Sequence, residues 1–155
     1  MKSMKNLFKI VLLSLCLCGF HGAIAAAEKG TAEEAVAMVK KAKEFIKKNG
    51  KEKAFAEFNN PGGQFVQGDL YVMVYDMEGL NKAHGGNPRL IGKNLLDIKD
   101  ANGVFIVKSF IEVATTKGKG WVDYKWFNKV SNAVEPKSTY VEKHEDVLVG
   151  VGIYK

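Results

Sequence analysis

Gly68-Asp69-Leu70-Tyr71-Val72-Met73-Val74-Tyr75-Asp76-Met77-Glu78-Gly79-Leu80-Asn81-Lys82-Ala83-His84 is where this 155-residue chain changes its hydrophobic period from helical to two. From Asp69 to Met77 the residues Tyr71, Met73 and Tyr75 alternate with Leu70, Val72 and Val74, which is the pattern of a strand. Glu78-Gly79 reads as a turn, and Leu80 to His84 returns as a second strand, so the stretch predicts a β-hairpin.

Upstream of the hairpin the pattern is helical. Thr31-Ala32-Glu33-Glu34 has the form of a capping box. Behind it Val36, Val39, Ala42, Phe45 and Ile46 recur at helical spacing, with lysines opposite. Asn49-Gly50 reads as a stop. A short helical stretch with Ala54, Phe55 and Phe58 follows, ended by Asn59-Asn60-Pro61-Gly62-Gly63. Downstream, Gly85 to Asp100 reads as loop and short helix, Asp100-Ala101-Asn102-Gly103 as a turn, and Phe105 to Thr115 as a helix. Three strands complete the chain: Trp121 to Phe127, Lys137 to Lys143 and Val147 to Tyr154. On the last of these Gly150 and Gly152 share one face, and they leave room for a packed helix or for a ligand.

This order predicts an α+β fold: a long N-terminal helix packed on an antiparallel sheet of about five strands, with a helical insertion between strands two and three. The N-terminal helix covers one face of the sheet, the insertion must cover the other, and a cavity between sheet and insertion is the natural ligand site.

The first residues predict export. Lys2, Lys5 and Lys9 form a basic region ahead of the apolar run Ile10–Phe20, and Ala23-Ile24-Ala25 and Ala25-Ala26-Ala27 offer small-x-small cleavage patterns. Eleven residues rise only about 17 Å, against a hydrocarbon core of about 30 Å, which favours a cleaved signal peptide over 1–27 rather than a retained anchor. The expected location is the periplasm. Cys16 and Cys18 both lie in the apolar run, so the mature chain 28–155, one domain, would carry no cysteine. Disulfides, thiol catalysis and cysteine-held metal are then excluded together. The formal charge is +6; without the three leader lysines, 20 Lys+Arg stand against 17 Asp+Glu. The lysines are dispersed and Arg89 is the sole arginine, so the clustered stripe of a nucleic-acid binder is missing.

Five ordered motifs then stand out: Gly68–Met77; Ala83-His84 with Asn87-Pro88-Arg89-Leu90-Ile91-Gly92-Lys93-Asn94-Leu95; Gly120-Trp121-Val122-Asp123-Tyr124-Lys125-Trp126; Glu135-Pro136-Lys137-Ser138-Thr139-Tyr140-Val141; and Val149-Gly150-Val151-Gly152-Ile153-Tyr154. Together they closely resemble the single Cache domain family, the extracytoplasmic sensing domains of bacterial chemoreceptors and histidine kinases. The resemblance runs from about Thr31 to Lys155. It implies a PAS-like sheet behind a long helix and a pocket for a small molecule, often a short carboxylate. The chain departs from the family pattern at Phe127 and Lys129, where prolines are usual, and at Gly85, where proline usually follows Ala-His. It ends at Lys155, and the expectation is a free-standing sensor domain feeding a membrane receptor or histidine kinase in chemotaxis or signal transduction.

The candidate ligand-binding residues are Tyr71, His84, Tyr124, Trp126, Lys137 and Tyr140. Lys137 is the cation to face a carboxylate. Tyr124 and Trp126 bring polar handles that the resemblance directs at the ligand, and His84 ends the second strand beside the insertion, where it would donate from either nitrogen. Tyr71 and Tyr75 share a face on which aromatics also serve as core. Lys137 and Tyr140 are three apart, so a regular strand places them on opposite faces; both line a pocket only if the strand bulges or the pocket wraps its end.

Enzyme readings find no support. Ser109, Ser131 and Ser138 sit in no nucleophile elbow. His84 and His144 have no carboxylate at metal-ligand spacing, and Asp97 and Asp100 lack the full ligand series of a calcium loop. No cofactor or metal is expected. The alternative to a sensing module is a structural or interaction protein that forms a homodimer through its amphipathic helix without a ligand.

Overall fold

The computed structural model describes residues 29–155. The predicted leader, with Cys16 and Cys18, lies outside the described residues. Helix α1 runs Ala32–Asn49 and opens on the predicted capping box. Thr31 Oγ1 accepts the Glu34 N–H at 3.2 Å, and Glu34 Oε2 accepts the Thr31 N–H at 2.8 Å. Two of the four amides a helix start leaves unpaired are thereby satisfied. Gly50, at φ 80°, turns the chain into α2, Lys51–Phe58. Phe58 packs edge-on against Phe65 with ring centroids 4.6 Å apart, which anchors the segment ahead of the sheet.

The strands are β1 (Val66–Gln67), β2 (Leu70–Asp76), β3 (Asn81–His84), β4 (Lys119–Asn128), β5 (Ala133–His144) and β6 (Val147–Tyr154). All pair antiparallel, in the order β1-β2-β6-β5-β4, with β3 also on β2. The sheet has six strands rather than about five. The addition is the two-residue β1, too short for any period to register.

Each strand alternates its side chains between two layers. Leu70, Val72, Val74, Tyr140, Val149 and Val151 join Ala35, Val39, Ala42 and Ile46 of α1 in one core. Burying that stripe stabilises the helix at about 25 cal/mol per Å² of apolar surface. It also means that the apolar face of α1 is covered by its own sheet. Tyr71, Met73, Tyr75, Tyr124 and Val141 face the second layer, where α3 (Ile106–Thr116) lays Ile106, Val107, Phe110 and Ala114 on them. Between β3 and α3 the insertion forms no α-helix, only a 3-10 turn at Pro88–Leu90. Asp100 pins it: Oδ1 accepts the Asn102 and Val104 amides and Oδ2 accepts the Lys125 amide of β4 at 2.8 Å. With its oxygens engaged by backbone, Asp100 is a structural turn residue.

Candidate ligand-binding site

Lys137 sits near the start of β5 with 1 % of its surface exposed. Opposite it on β6 the register places Tyr154, and two pairs along, on the same face, Gly152 lies against Thr139. A Cβ on Gly152 would collide with Lys137 Cε and Thr139 Oγ1. The glycine therefore clears a path for the lysine stem, which crosses β6 and brings its ammonium to β2. There Nζ donates to Tyr71 Oη at 2.8 Å. The ammonium also lies 4.2 Å from the Tyr71 ring centroid and 4.0 Å from that of Tyr154, a cation held between two π faces. Of the two readings of the β6 glycines, neither a helix nor a ligand fills the space at Gly152; a lysine does.

An ammonium has three donors. Among the described residues Lys137 directs one of them to a hydrogen bond, and no carboxylate lies within 4.0 Å of it. Burial holds its pKa down to about 7, and the charge of Asp69 offsets this in part. Asp69 is itself buried: Oδ1 accepts the Gly30 amide at 2.9 Å while Oδ2 has no partner among the described residues.

His84 lies beside this pair, its ring 5.0 Å from that of Tyr71. Its Nδ1 accepts the Asn87 amide at 2.9 Å, which leaves the proton on Nε2. Burial, and secondarily the nearby Lys137, push its pKa down to about 3. His84 is thus a neutral, single donor near pH 7, where the sequence allowed donation from either nitrogen. Tyr124 pairs across from Lys137 and shares a 2.8 Å hydrogen bond with Thr139 Oγ1. Trp126, two residues on, packs edge-on to Tyr124 at 6.2 Å. Tyr140 does not join them. With no bulge in β5, the period of two turns it to the α1 layer, where its hydroxyl donates to Glu142 Oε2 at 3.2 Å and its ring lies 5.4 Å from Trp121. Five of the six candidates therefore gather on one face, and Tyr140 lies in the other layer.

The space is distributed unlike the sequence expectation. The cleft between sheet and insertion, lined by Tyr71, His84, Phe110, Tyr124 and Trp126 among others, holds only about 10 Å³. A larger cavity of about 260 Å³ opens beside it, where β2, β4 and β6 end against the Gly85–Asn87 loop. Tyr71 and Trp126 line both. Tyr154, which clasps Lys137 and donates to the Phe127 carbonyl at 2.9 Å, lines the larger one. Tyr154, Asp69 and Phe127 also line this cavity, though none is among the sequence candidates. Tyr154 was within reach, since it continues the Gly150, Gly152 face of β6; Asp69 gave no signal beyond following a glycine.

The model of the single Cache domain 2 family matches residues 24–155. The chain belongs to this family. A methyl-accepting chemotaxis protein from Vibrio parahaemolyticus RIMD 2210633 is 30 % identical, at a TM-score of 0.69 over 79 % of this chain and 86 % of that one. A periplasmic sensor domain of a chemotaxis protein is 25 % identical, at a TM-score of 0.63 over 79 % and 88 %. A Cache chemosensory domain solved for the basis of its carboxylic acid recognition shares the fold at 22 % identity and a TM-score of 0.63, over 79 % and 86 %. Cache domains are sensor modules, and this chain has their α+β architecture. Among the described residues no helix is long and apolar enough to cross a membrane.

Proposed function

We propose that this Cache domain is an extracytoplasmic binding module for a small organic acid, exported by a cleaved leader and reporting to a chemotaxis or signalling partner. The observation that carries the reading is the Lys137 ammonium, buried against Tyr71 and Tyr154 with donors to spare and, among the described residues, no carboxylate within 4.0 Å, the nearby Asp69 offsetting its burial only in part. A buried charge is costly unless paired. An arriving carboxylate supplies the pair: it accepts from Lys137 and the Tyr71 hydroxyl, with neutral His84 as a further donor and Tyr124 and Trp126 as walls. The carboxylic acid recognition of the Cache domain of like fold supports the same ligand chemistry, and the periplasmic neighbour supports the location. The packing of the apolar stripe of α1 on the sheet supports this reading over that of an interaction protein dimerising through the same helix.

A thermal-shift screen of small organic acids tests this. A ligand at 100 times its dissociation constant stabilises the fold by about 2.7 kcal/mol, a melting shift on the order of 10 °C for a domain of this size. Lys137→Met should abolish the shift. A screen in which no acid moves the melt at millimolar concentration would sink the proposal.

A further inference from the structure

Asp69 stands just ahead of β2 with 6 % of its surface exposed, and it is the buried charged residue in the wall of the larger cavity. Its Oδ1 is taken by the Gly30 amide, while Oδ2 has no partner among the described residues. A buried carboxylate oxygen without a donor is costly, more so than a neutral acceptor. The rest of the wall suits a cation. Tyr71, Trp126, Phe127 and Tyr154 all line the same cavity, and an aromatic face attracts positive charge. Two of these rings already act in this way on the Lys137 ammonium, at 4.2 Å and 4.0 Å from their centroids. Lys137 touches those rings without lining the cavity; Lys129 lines it and is exposed. Gly68, Gly85 and Gly86 add wall without side chains, and at Gly86 a Cβ would come within 2.6 Å of the Tyr71 ring. About 10–15 Å³ is enough to hold one water, so a cavity of about 260 Å³ has room for a molecule with an apolar body.

We propose that this cavity binds a primary organic ammonium, with Asp69 as its counter-ion and hydrogen-bond acceptor and the four rings around its body. A primary ammonium has three N–H donors and satisfies Oδ2; a carboxylate is an acceptor only and does not. A quaternary ammonium offers the rings a charge but gives Oδ2 no donor. Contact between an N–H and a carboxylate is a charge-assisted bond, the strong kind, and it completes the pairing that a buried charge requires. Lys137 does not take this place. It feels the Asp69 charge only from beyond 4.0 Å, and the attraction between charges weakens with distance. The proposal goes beyond the carboxylate reading and does not depend on it, since that reading rests on Lys137 and this one on Asp69.

Calorimetric titration of the purified protein with benzylammonium, its uncharged counterpart benzyl alcohol, and benzyltrimethylammonium tests this, on wild type, Asp69→Asn and Phe127→Leu. Benzylammonium should bind about tenfold or more tightly than benzyl alcohol, the factor that a hydrogen bond to a charged group supplies, and about threefold or more tightly than benzyltrimethylammonium, which has no N–H. Asp69→Asn keeps an acceptor for the Gly30 amide and removes the charge. It should weaken benzylammonium about tenfold or more and leave benzyl alcohol unchanged. Phe127→Leu alters a half-exposed side chain and should fold. It removes one ring and should weaken benzylammonium about twofold to fivefold. If Asp69→Asn does not fold, Phe127→Leu and the three probes on wild type carry the test. No binding of benzylammonium at millimolar concentration, or an affinity no better than that of either other probe, overturns the proposal. So does a folded Asp69→Asn that binds benzylammonium as wild type does, or a Phe127→Leu that leaves its affinity unchanged. Small acids that bind while benzylammonium does not leave the carboxylate reading standing and remove this one; the converse result does the opposite.

Discussion

Replacing Lys137 by methionine keeps a stem of similar length in the groove above Gly152 and removes the charge. The folded ammonium is held near a pKa of about 7, against 10.5 for the free side chain, chiefly by burial. Between those values the unfolded chain binds more protons than the folded one, so this group lowers stability most at and below about pH 7, and stability recovers as pH rises toward 10.5. The interval amounts to roughly 5 kcal/mol at about 1.4 kcal/mol per pH unit. Relaxation and water penetration reduce that, and the lost hydrogen bond to Tyr71 removes about 1 kcal/mol more. The ligand-free Lys137→Met protein should therefore be more stable than wild type by about 2–4 kcal/mol at pH 7, a rise in Tm on the order of 10 °C. Thermal unfolding followed by circular dichroism at pH 7 and pH 10 reads this directly. The gap should be wide at pH 7 and shrink at pH 10, and the same variant should lose acid binding. A Tm below wild type at pH 7, or a gap of the same size at both pH values, would show that the buried ammonium is not a strained group held in readiness for an anion.

Gly152→Ala places a methyl where Lys137 Cε and Thr139 Oγ1 lie, so it should cost about 1–3 kcal/mol in denaturant unfolding and weaken acid binding. Acid affinity should be flat just below pH 7 and fall about tenfold per unit above it as Lys137 deprotonates, which titrations from pH 6 to 9 would check; a pH-independent affinity would remove Lys137 from the binding step. Thr31→Ala removes the acceptor of the Glu34 amide and should cost about 1 kcal/mol, with a change below about 0.3 kcal/mol counting against the cap. Intact-mass measurement of natively expressed protein should place the N-terminus at Ala26 or Glu28 in the periplasmic fraction; a species retaining Met1 in the membrane pellet would refute export with cleavage.

What the sequence determined by itself is everything governed by local periodicity. The Thr31–Glu34 cap, the α1 stripe, the β2–β3 hairpin, α3 and the three closing strands all follow from patterns within one turn or one strand, because 3.6 and 2.0 residue periods decide which side chains face a core. The same rule foretold that Lys137 and Tyr140 point to opposite layers, and the unbulged β5 enforced it. Five motifs in order also pointed to the family. Only the tertiary structure could decide what lies across strands. That Lys137 passes over Gly152 to reach Tyr71 and Tyr154 depends on the register of β5, β6 and β2, which join residues more than sixty positions apart. Which of two adjacent spaces stays open is likewise a matter of packing. Phe110, Tyr124 and their neighbours close the cleft under the insertion, while three glycines hold open the cavity beside it. Close packing depends on shapes meeting in three dimensions, and one strand's sequence carries no record of its neighbour's register.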